Sequence, residues 1–305
     1  MRVFVTGASG FIGSAVVTEL LNAGHEVLGL ARSDDAAAKV AAAGAAVHRG
    51  DVEDLDSLRR GAAVADGVIH TAFNHDFTVP RPVAAEADRR AVEAMAGVLA
   101  SSNRPLLITS GTSGLAPGRV ATEDTPTDLV PDAVGRKAVE EVAVSYVPRG
   151  VRVSVVRFPP TVHGRGDHGF VPVLINIARQ KGVSAYIGDG ANRWAAVHRL
   201  DAAHLFRLGL EMGTGGARLH GVGEEGVPMR DIAEVIGRQL NLPVRSISRE
   251  EASEHFSFLA AFVALDVPAS SVITQKQLGW RPTQPGLIED LEEGHYFQHV
   301  SAMAS

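Results

Sequence analysis

The 305-residue chain contains no cysteine, and aromatic residues make up only 5% of it. The lack of cysteine excludes disulfides, thiolate metal ligands and a cysteine nucleophile. The net charge is -6 with no basic run, so neither nucleic acid nor an anionic membrane is an expected partner. The longest apolar stretch, residues 258–265, is far shorter than the roughly 20 residues that a membrane span needs.

Hydrophobic residues make up 45% of the sequence, which is enough for a sizeable core. A strand predicted from Arg2 onward leaves no room for a signal peptide at the start of the chain. We therefore expect a soluble, cytoplasmic, globular protein.

The most informative stretch is residues 1–24. An apolar run at residues 3–5 leads into the sequence TGASGFIG at residues 6–13, and the apolar residues that follow have helical spacing. Gly7, Gly10 and Gly13 suit a tight turn, a close approach of backbone to a pyrophosphate and close packing of helix on strand. The N-terminus of the helix then offers free N–H groups to the phosphates. The stretch predicts a dinucleotide cradle; a glycine turn without a ligand is the alternative.

The first half of the chain alternates between strands and helices, with six strands predicted up to residue 156. Such alternation predicts an α/β fold with a Rossmann-type, doubly wound parallel sheet, whose ligand binds at the carboxyl ends of the strands. The second half is irregular and rich in proline, glycine and histidine. We predict a Rossmann domain at 1–158 plus about 193–213, and a small substrate-binding lid at about 159–192 and 214–305.

Four further motifs follow the glycine loop in order. They are GDV with a later Asp at residues 50–54, VIHTA at 68–72, RFPPTVHG at 157–164 and WAAVHRLDAA at 194–203. Together with TGASGFIG, they resemble the TGxxGxxG, GDxxD, VIHxAA, RxxNVYGP and RxFVHVxDVA segments of the extended short-chain dehydrogenase/reductase superfamily. The chain is identified as a member of its NAD-dependent epimerase/dehydratase-like branch.

The resemblance implies a cofactor site along these motifs. The residues that it assigns to the cofactor are Thr6, Gly7, Ser9, Gly10, Phe11, Ile12, Gly13, Asp51, Val52, Thr71, Ala72, Phe73, Lys137 and Pro160. Lys137 corresponds to the superfamily's active-site lysine. A solvated lysine that pairs with Glu141 on the same helix is the alternative.

The expected catalytic tyrosine is missing. In the superfamily a tyrosine stands four residues before the lysine and passes a proton to the substrate oxygen, but this chain has Ala133 there. Gly111 stands where the catalytic serine is expected, with Ser110 and Thr112 on either side of it. The resemblance is therefore to atypical members that have lost the tyrosine.

We predict Thr112, Ser110 and His163 as catalytic residues. Either hydroxyl can donate a hydrogen bond to a carbonyl oxygen, but an aliphatic hydroxyl is too weak an acid to be the proton source. His163 follows the segment expected near the nicotinamide, and a histidine titrates near neutral pH. His75 and His168 are weaker candidates on neighbouring loops. A glycine-rich loop explains the grouping of His163, Asp167 and His168, so no metal site is expected.

The choice of cofactor depends on the end of the second strand. An acid there binds the ribose hydroxyls of NAD, whereas an arginine pairs with the 2'-phosphate of NADP. This chain has Arg32 and Ser33, while Asp34 and Asp35 come late and suit the cap of the next helix. We therefore predict NADP(H), with NAD(H) as the alternative.

The leading functional hypothesis is an NADP(H)-dependent oxidoreductase that moves hydride to or from a carbonyl-type carbon of a small organic substrate. A sensor or regulatory protein that binds NADP(H) without turnover is the first alternative, because Ala133 replaces the tyrosine. An epimerase or dehydratase with bound cofactor is the second. A homodimer is left open.

Overall fold

The structure, a computed structural model, describes residues 1–74, 79–126 and 136–298. Its strands are β1 (Arg2–Thr6), β2 (Glu26–Ala31), β3 (Ala46–Arg49), β4 (Gly67–His70), β5 (Pro105–Gly111), β6 (Arg152–Phe158), β7 (Thr161–His163), β8 (Ser184–Ile187), β9 (Arg193–His198), β10 (Ala217–His220), β11 (Glu224–Pro228) and β12 (Val244–Ile247). Seven of them form a parallel sheet in the order β10-β6-β5-β4-β1-β2-β3.

Helices cover both faces of this sheet. The helices of the chain are α1 (Phe11–Asn22), α2 (Asp34–Ala42), α3 (Leu55–Ala63), α4 (Arg81–Leu99), α5 (Arg136–Val144), α6 (Phe170–Lys181), α7 (Arg199–Met212), α8 (Met229–Leu240), α9 (Ala252–Phe256), α10 (Ala260–Val263), α11 (Val272–Leu278) and α12 (Leu287–Glu292). One core packs α1 and α7 on the sheet, and the other packs α3, α4 and α5. The predicted doubly wound Rossmann-type sheet is confirmed.

A smaller region carries its own core. The antiparallel pair β11 and β9 continues into β7, while β8 pairs with β12. Helices α6, α8, α9, α10 and α12 pack around a third cluster of buried apolar side chains. The substrate-binding role of this region stays a prediction.

The predicted domain boundaries are wrong in three places. Strand β10 is the seventh strand of the main sheet, although the sequence placed everything after residue 213 in the lid. Four residues that include Arg218 and His220 give too little apolar pattern to reveal an edge strand. Strand β9, assigned to the Rossmann domain, pairs instead with β7 and β11. Trp280, also assigned to the lid, lies fully buried in the core of the main sheet.

Within the described residues, no helix is both long enough and apolar enough to cross a bilayer.

Candidate active site

The glycine loop between β1 and α1 leaves no room for side chains. Gly7 has φ of +67°, and a Cβ there would lie 2.7 Å from Thr71 Oγ1 and 2.8 Å from the backbone nitrogen of Ala72. A Cβ at Gly13 would collide with the carbonyl oxygen of Gly7. The turn and the close helix packing predicted for these glycines are therefore present.

The N-terminus of α1 is open to an anion. Gly10 caps it without a side-chain hydrogen bond, and the first turn contains no acidic residue. By contrast, Ser33 caps α2 and Asp54 caps α3 through their side chains. Because the first N–H groups of a helix have no partner inside it, those of α1 suit the pyrophosphate of a dinucleotide. The loop therefore fits the implied cofactor.

A closed network of polar side chains supports the loop from below. Thr6 Oγ1 lies 2.7 Å from His70 Nδ1, and His70 Nε2 lies 2.8 Å from Asp88 Oδ1. Thr71 Oγ1 donates a hydrogen bond of 2.7 Å to the carbonyl oxygen of Thr6. Thr6 has no exposed surface, so its side chain holds the β4 loop rather than reaching a cofactor. Asp88 was not predicted as part of the site, since it lies on α4 outside any motif.

The loop that this network holds carries three of the predicted cofactor residues. Thr71, Ala72 and Phe73 directly follow β4 and are half-buried. The backbone nitrogen of Ala72 donates to Thr6 Oγ1 over 3.3 Å. The first part of the loop is therefore fixed beside the glycine turn.

At the end of β2, Arg32 and Ser33 are exposed. Ser33 Oγ accepts a hydrogen bond from the backbone nitrogen of Ala36, so Ser33 caps α2. Asp34 or Asp35 was predicted for this cap. Asp34 is bound by Arg49, whose Nη2 lies 2.6 Å from its carboxylate. Arg49, at the end of β3, was not predicted as a site residue.

The predicted GD segment follows β3. Asp51 Oδ1 accepts a hydrogen bond of 3.0 Å from the backbone nitrogen of Glu53, which shapes the turn. Val52 packs against the core on the α3 side. Both side chains are half-buried.

Three buried hydroxyl groups lie on the segments that follow β5 and β6. Ser110, Thr112 and Thr161 are 6%, 2% and 2% exposed, and none of their hydroxyls has a hydrogen-bond partner among the described residues. The backbone nitrogen of Thr112 donates to the carbonyl oxygen of Phe158 over 2.9 Å, which fixes its position between the two strands. A buried hydroxyl without a partner costs about 1–3 kcal/mol, so these groups point to a polar ligand. Thr161 was not predicted as a site residue, although it lies in the RFPPTVHG segment at residues 157–164.

Lys137 is the second residue of α5. Its Nζ lies 3.8 Å from Glu141 Oε1, and 33% of its side chain is exposed. The alternative pairing with Glu141 is therefore present, while the contact with the cofactor stays a prediction. Ala133 and His75 lie outside the described residues. Pro160, another predicted cofactor contact, is half-buried between β6 and β7.

His163 lies in a buried His–Asp–His arrangement. Its Nδ1 is 2.8 Å from Asp290 Oδ2, and Asp290 Oδ1 is 2.8 Å from His295 Nε2. Burial opposes the charge of Asp290, but these hydrogen bonds hold the pKa of its carboxyl below the usual value. His163 is 1% exposed, and its Nε2 has no partner among the described residues. Asp290 lies 127 residues away in the sequence, which is why it was not predicted.

The loop after His163 is fastened to the C-terminal segment. Tyr296 donates a hydrogen bond of 2.9 Å to Asp167 Oδ2 and accepts one of 3.0 Å from the backbone nitrogen of Gly164. Burial raises the pKa of Asp167. The ring of His168 packs edge-on against that of Phe11, with the centroids 5.8 Å apart. The loop therefore lies beside the N-terminus of α1.

Another buried polar cluster lies at the ends of β6 and β10. Arg157 Nε and Nη2 lie 3.0 and 2.7 Å from the two carboxylate oxygens of Glu140. His220 Nδ1 is 2.9 Å from the carbonyl oxygen of Ser270, and Nε2 has no partner among the described residues. Burial lowers the pKa of His220, although the nearby Glu123 opposes the effect.

Comparison with known proteins agrees with this geometry. The model of the NAD dependent epimerase/dehydratase family matches residues 3–219. An uncharacterized protein of Schizosaccharomyces pombe is 52% identical over 300 residues, which cover 97% of this chain and all of that protein. The 4-hydroxy-2-methyl-3-oxo-4-farnesyl-3,4-dihydroquinoline-1-oxide ketoreductase of Stigmatella aurantiaca is 30% identical over 71% of this chain and 66% of its own.

Among solved structures, the dTDP-glucose 4,6-dehydratase DesIV of Streptomyces venezuelae, crystallised with NAD, is similar in fold. Its TM-score is 0.77 at 22% identity, and the match covers 97% of each chain.

Proposed function

The chain belongs to the NAD-dependent epimerase/dehydratase family of extended short-chain dehydrogenases/reductases, and from that premise we propose that it is an NADP(H)-dependent oxidoreductase. It would move hydride to or from a carbonyl-type carbon of a small organic molecule. The observation that carries the proposal is the pair of buried hydroxyls of Ser110 and Thr112 at the end of β5, which have no hydrogen-bond partner among the described residues. Family membership supports NAD(P)-dependent chemistry, and the ketoreductase relative supports a carbonyl substrate.

The chain's own residues have distinct tasks in this proposal. The bound dinucleotide supplies the hydride. The glycine loop and the N-terminus of α1 bind its pyrophosphate. Ser110 and Thr112 donate hydrogen bonds to the substrate oxygen, where negative charge develops during reduction. Because both hydroxyls are buried and have no competing partner in the part of the chain that the structure describes, they need not break a bond there before they bind that oxygen.

The proton that the oxygen finally takes up requires a stronger acid than a hydroxyl. We assign it to His163, whose Nδ1 is held by Asp290 at 2.8 Å. A carboxylate at Nδ1 fixes the ring orientation and stabilises the imidazolium, so that Nε2 is the atom that gives up the proton. Nε2 is buried and has no other partner among the described residues.

The preference for NADP(H) is attributed to Arg32. Among the residues that the structure describes, it has no carboxylate within ion-pair distance, whereas the neighbouring Arg49 is engaged by Asp34. An exposed guanidinium at the end of β2 suits a 2'-phosphate. Lys137 is assigned to the nicotinamide ribose.

The rival function is a sensor that binds NADP(H) and catalyses nothing, which the sequence supports through Ala133. Incubation of the protein with NADPH and a panel of aldehydes, ketones, enones and imines separates the two. We expect loss of the reduced nicotinamide's absorbance with at least one substrate class, and slower loss with NADH. Tight NADPH binding without turnover on the whole panel would favour the sensor.

A further inference from the structure

Arg199 links the second half of the chain to the dinucleotide loop. It opens α7, and its guanidinium carbon lies 4.9 Å from the centre of the Phe11 ring. Its Nη2 donates a hydrogen bond of 3.3 Å to Ser14 Oγ, 185 residues away in the sequence. Phe11 and Ser14 both lie in the first turns of α1, directly after the glycine loop. The guanidinium therefore lies beside the helix end that suits a pyrophosphate.

Among the described residues, no carboxylate lies within ion-pair distance of the Arg199 guanidinium. Its Nη1 donates to the carbonyl oxygen of Arg165 over 2.7 Å, and its buried Nε has no hydrogen-bond partner in the same part of the chain. Three other arginines of partly or fully buried position are paired with carboxylates: Arg157 with Glu140, Arg193 with Asp266, and Arg207 with Glu19 and Glu211. Arg152, by contrast, donates to the carbonyl oxygens of Gly213 and Leu210. Burial lowers the pKa of Arg199, as expected for a cation without a partner.

The surroundings add positive rather than negative potential. Arg199 lies at the N-terminus of α7 and beside that of α1, and both ends carry partial positive charge. Two acids on the adjoining segments are engaged elsewhere. Asp201 accepts hydrogen bonds from the backbone nitrogens of Thr283 and Gln284 at 3.0 and 3.1 Å, and Asp167 accepts one from Tyr296. An anion is needed to complete the site.

We propose that Arg199 binds the pyrophosphate of the dinucleotide, a role that rests on the dinucleotide dependence proposed above. Its ligand class is a diphosphate ester. The hydrogen bond to the Arg165 carbonyl lets the same guanidinium hold the loop at residues 163–169 against α1. Cofactor binding then stabilises the contact between this loop and the Rossmann sheet.

The test compares Arg199→Gln with Arg165→Gln, which removes the same charge from an exposed side chain in the adjoining loop. Dissociation constants are measured for NADPH, for ADP, and for adenosine 2'-monophosphate, which lacks the diphosphate. Arg199→Gln should weaken NADPH and ADP binding about tenfold or more and change adenosine 2'-monophosphate binding less than about twofold. Arg165→Gln should change all three only slightly.

Equal losses for all three ligands, or no loss beyond that of Arg165→Gln, would overturn the assignment. Thermal unfolding without ligand shows whether Arg199→Gln is folded. If Arg199→Gln does not fold, the binding measurements are made on Arg199→Lys, which keeps the positive charge. A folded lysine variant should bind ADP within about threefold of the parent, and a much larger loss would count against a charge role. A parent protein that binds NADPH but reduces no substrate contradicts the proposed reaction and leaves the role of Arg199 intact.

Discussion

Two of the sets of buried polar side chains at the carboxyl edge of the sheet differ in their hydrogen bonding, since one is closed and the other is open. Below the dinucleotide loop, Thr6, His70 and Asp88 are joined by hydrogen bonds of 2.7 and 2.8 Å. Across β5, the hydroxyls of Ser110 and Thr112 are as deeply buried and have no partner among the described residues. A closed network fixes backbone, whereas an open one costs stability and is kept where a ligand completes it. The first set therefore shapes the loop beside the glycine turn, and the second is the set that we propose acts on the substrate.

A threonine-to-valine substitution in each set should produce opposite results, and the loss of turnover in the open set is the greatest change that we expect. Thr112→Val removes a hydroxyl that has no partner among the described residues, so the turnover number should fall about 100-fold or more while the free energy of unfolding stays equal or rises. Thr6→Val leaves Nδ1 of the buried His70 ring without its hydrogen bond to Thr6 and should lower the free energy of unfolding by about 1–3 kcal/mol. Turnover on one accepted substrate, NADPH affinity and denaturant unfolding are measured for both.

Thr109→Val is the matched control for turnover. Its hydroxyl, at the same strand end, donates to the carbonyl oxygen of His70 over 2.8 Å. Loss of that bond should cost about 1 kcal/mol of stability with little change in turnover. If Thr112→Val keeps parental turnover, or is destabilised like Thr6→Val, the open set does not act on the substrate and the comparison fails.

A smaller effect concerns the cofactor side of the edge. Arg32→Ala should weaken NADPH binding about tenfold or more and leave NADH nearly unchanged, because a charge-assisted pair with the 2'-phosphate contributes roughly 1.5–3 kcal/mol. Arg59→Ala, which removes an exposed arginine on α3, controls for net charge. Equal affinity of the parent for the two cofactors would show that Arg32 has no part in the choice.

The pH dependence of stability is the least of the expected effects, and it involves His220. This buried residue has a ring nitrogen without a partner among the described residues. Burial lowers its pKa, so below about pH 6.5 the unfolded chain takes up a proton that the folded chain resists. The free energy of unfolding should therefore fall as the pH drops from about 7 to 5. His198 and His255, whose pKa values burial also lowers, add to the slope. His220→Asn should flatten the curve in part, and an unchanged slope would argue against this account.

The sequence was most informative where chemistry is local. The glycine loop and the helix that follows it lie within about 20 residues, and each glycine meets a steric demand that its neighbours impose. Ser110 and Thr112 were predicted because the superfamily's serine segment lies at the end of the fifth strand. The structure buries both side chains there, and their role stays a prediction. Prediction failed where partners are distant. Asp290 lies 127 residues from His163, and Arg199 lies 185 residues from Ser14, so no spacing rule connects them.

The same limit explains the domain boundary. Strand β10 is only four residues long, and its place in the sheet depends on pairing with β6 rather than on its own pattern. Trp280 reads as part of an irregular tail, yet its indole N–H donates to the carbonyl oxygen of Asp201 on α7 at 3.0 Å.

Isotope labelling shows whether the protein transfers hydride from NADPH to a carbonyl carbon. The protein is incubated with NADPH carrying deuterium at the transferable position and with a carbonyl substrate from the panel, and the product is analysed by mass spectrometry. We expect one deuterium on the former carbonyl carbon for each NADPH oxidised. A product that gains deuterium without net consumption of NADPH would instead indicate an epimerase or dehydratase cycle. If NADPH binds but is not consumed with any substrate, the proposed oxidoreductase activity is wrong and the NADP(H)-binding sensor is favoured.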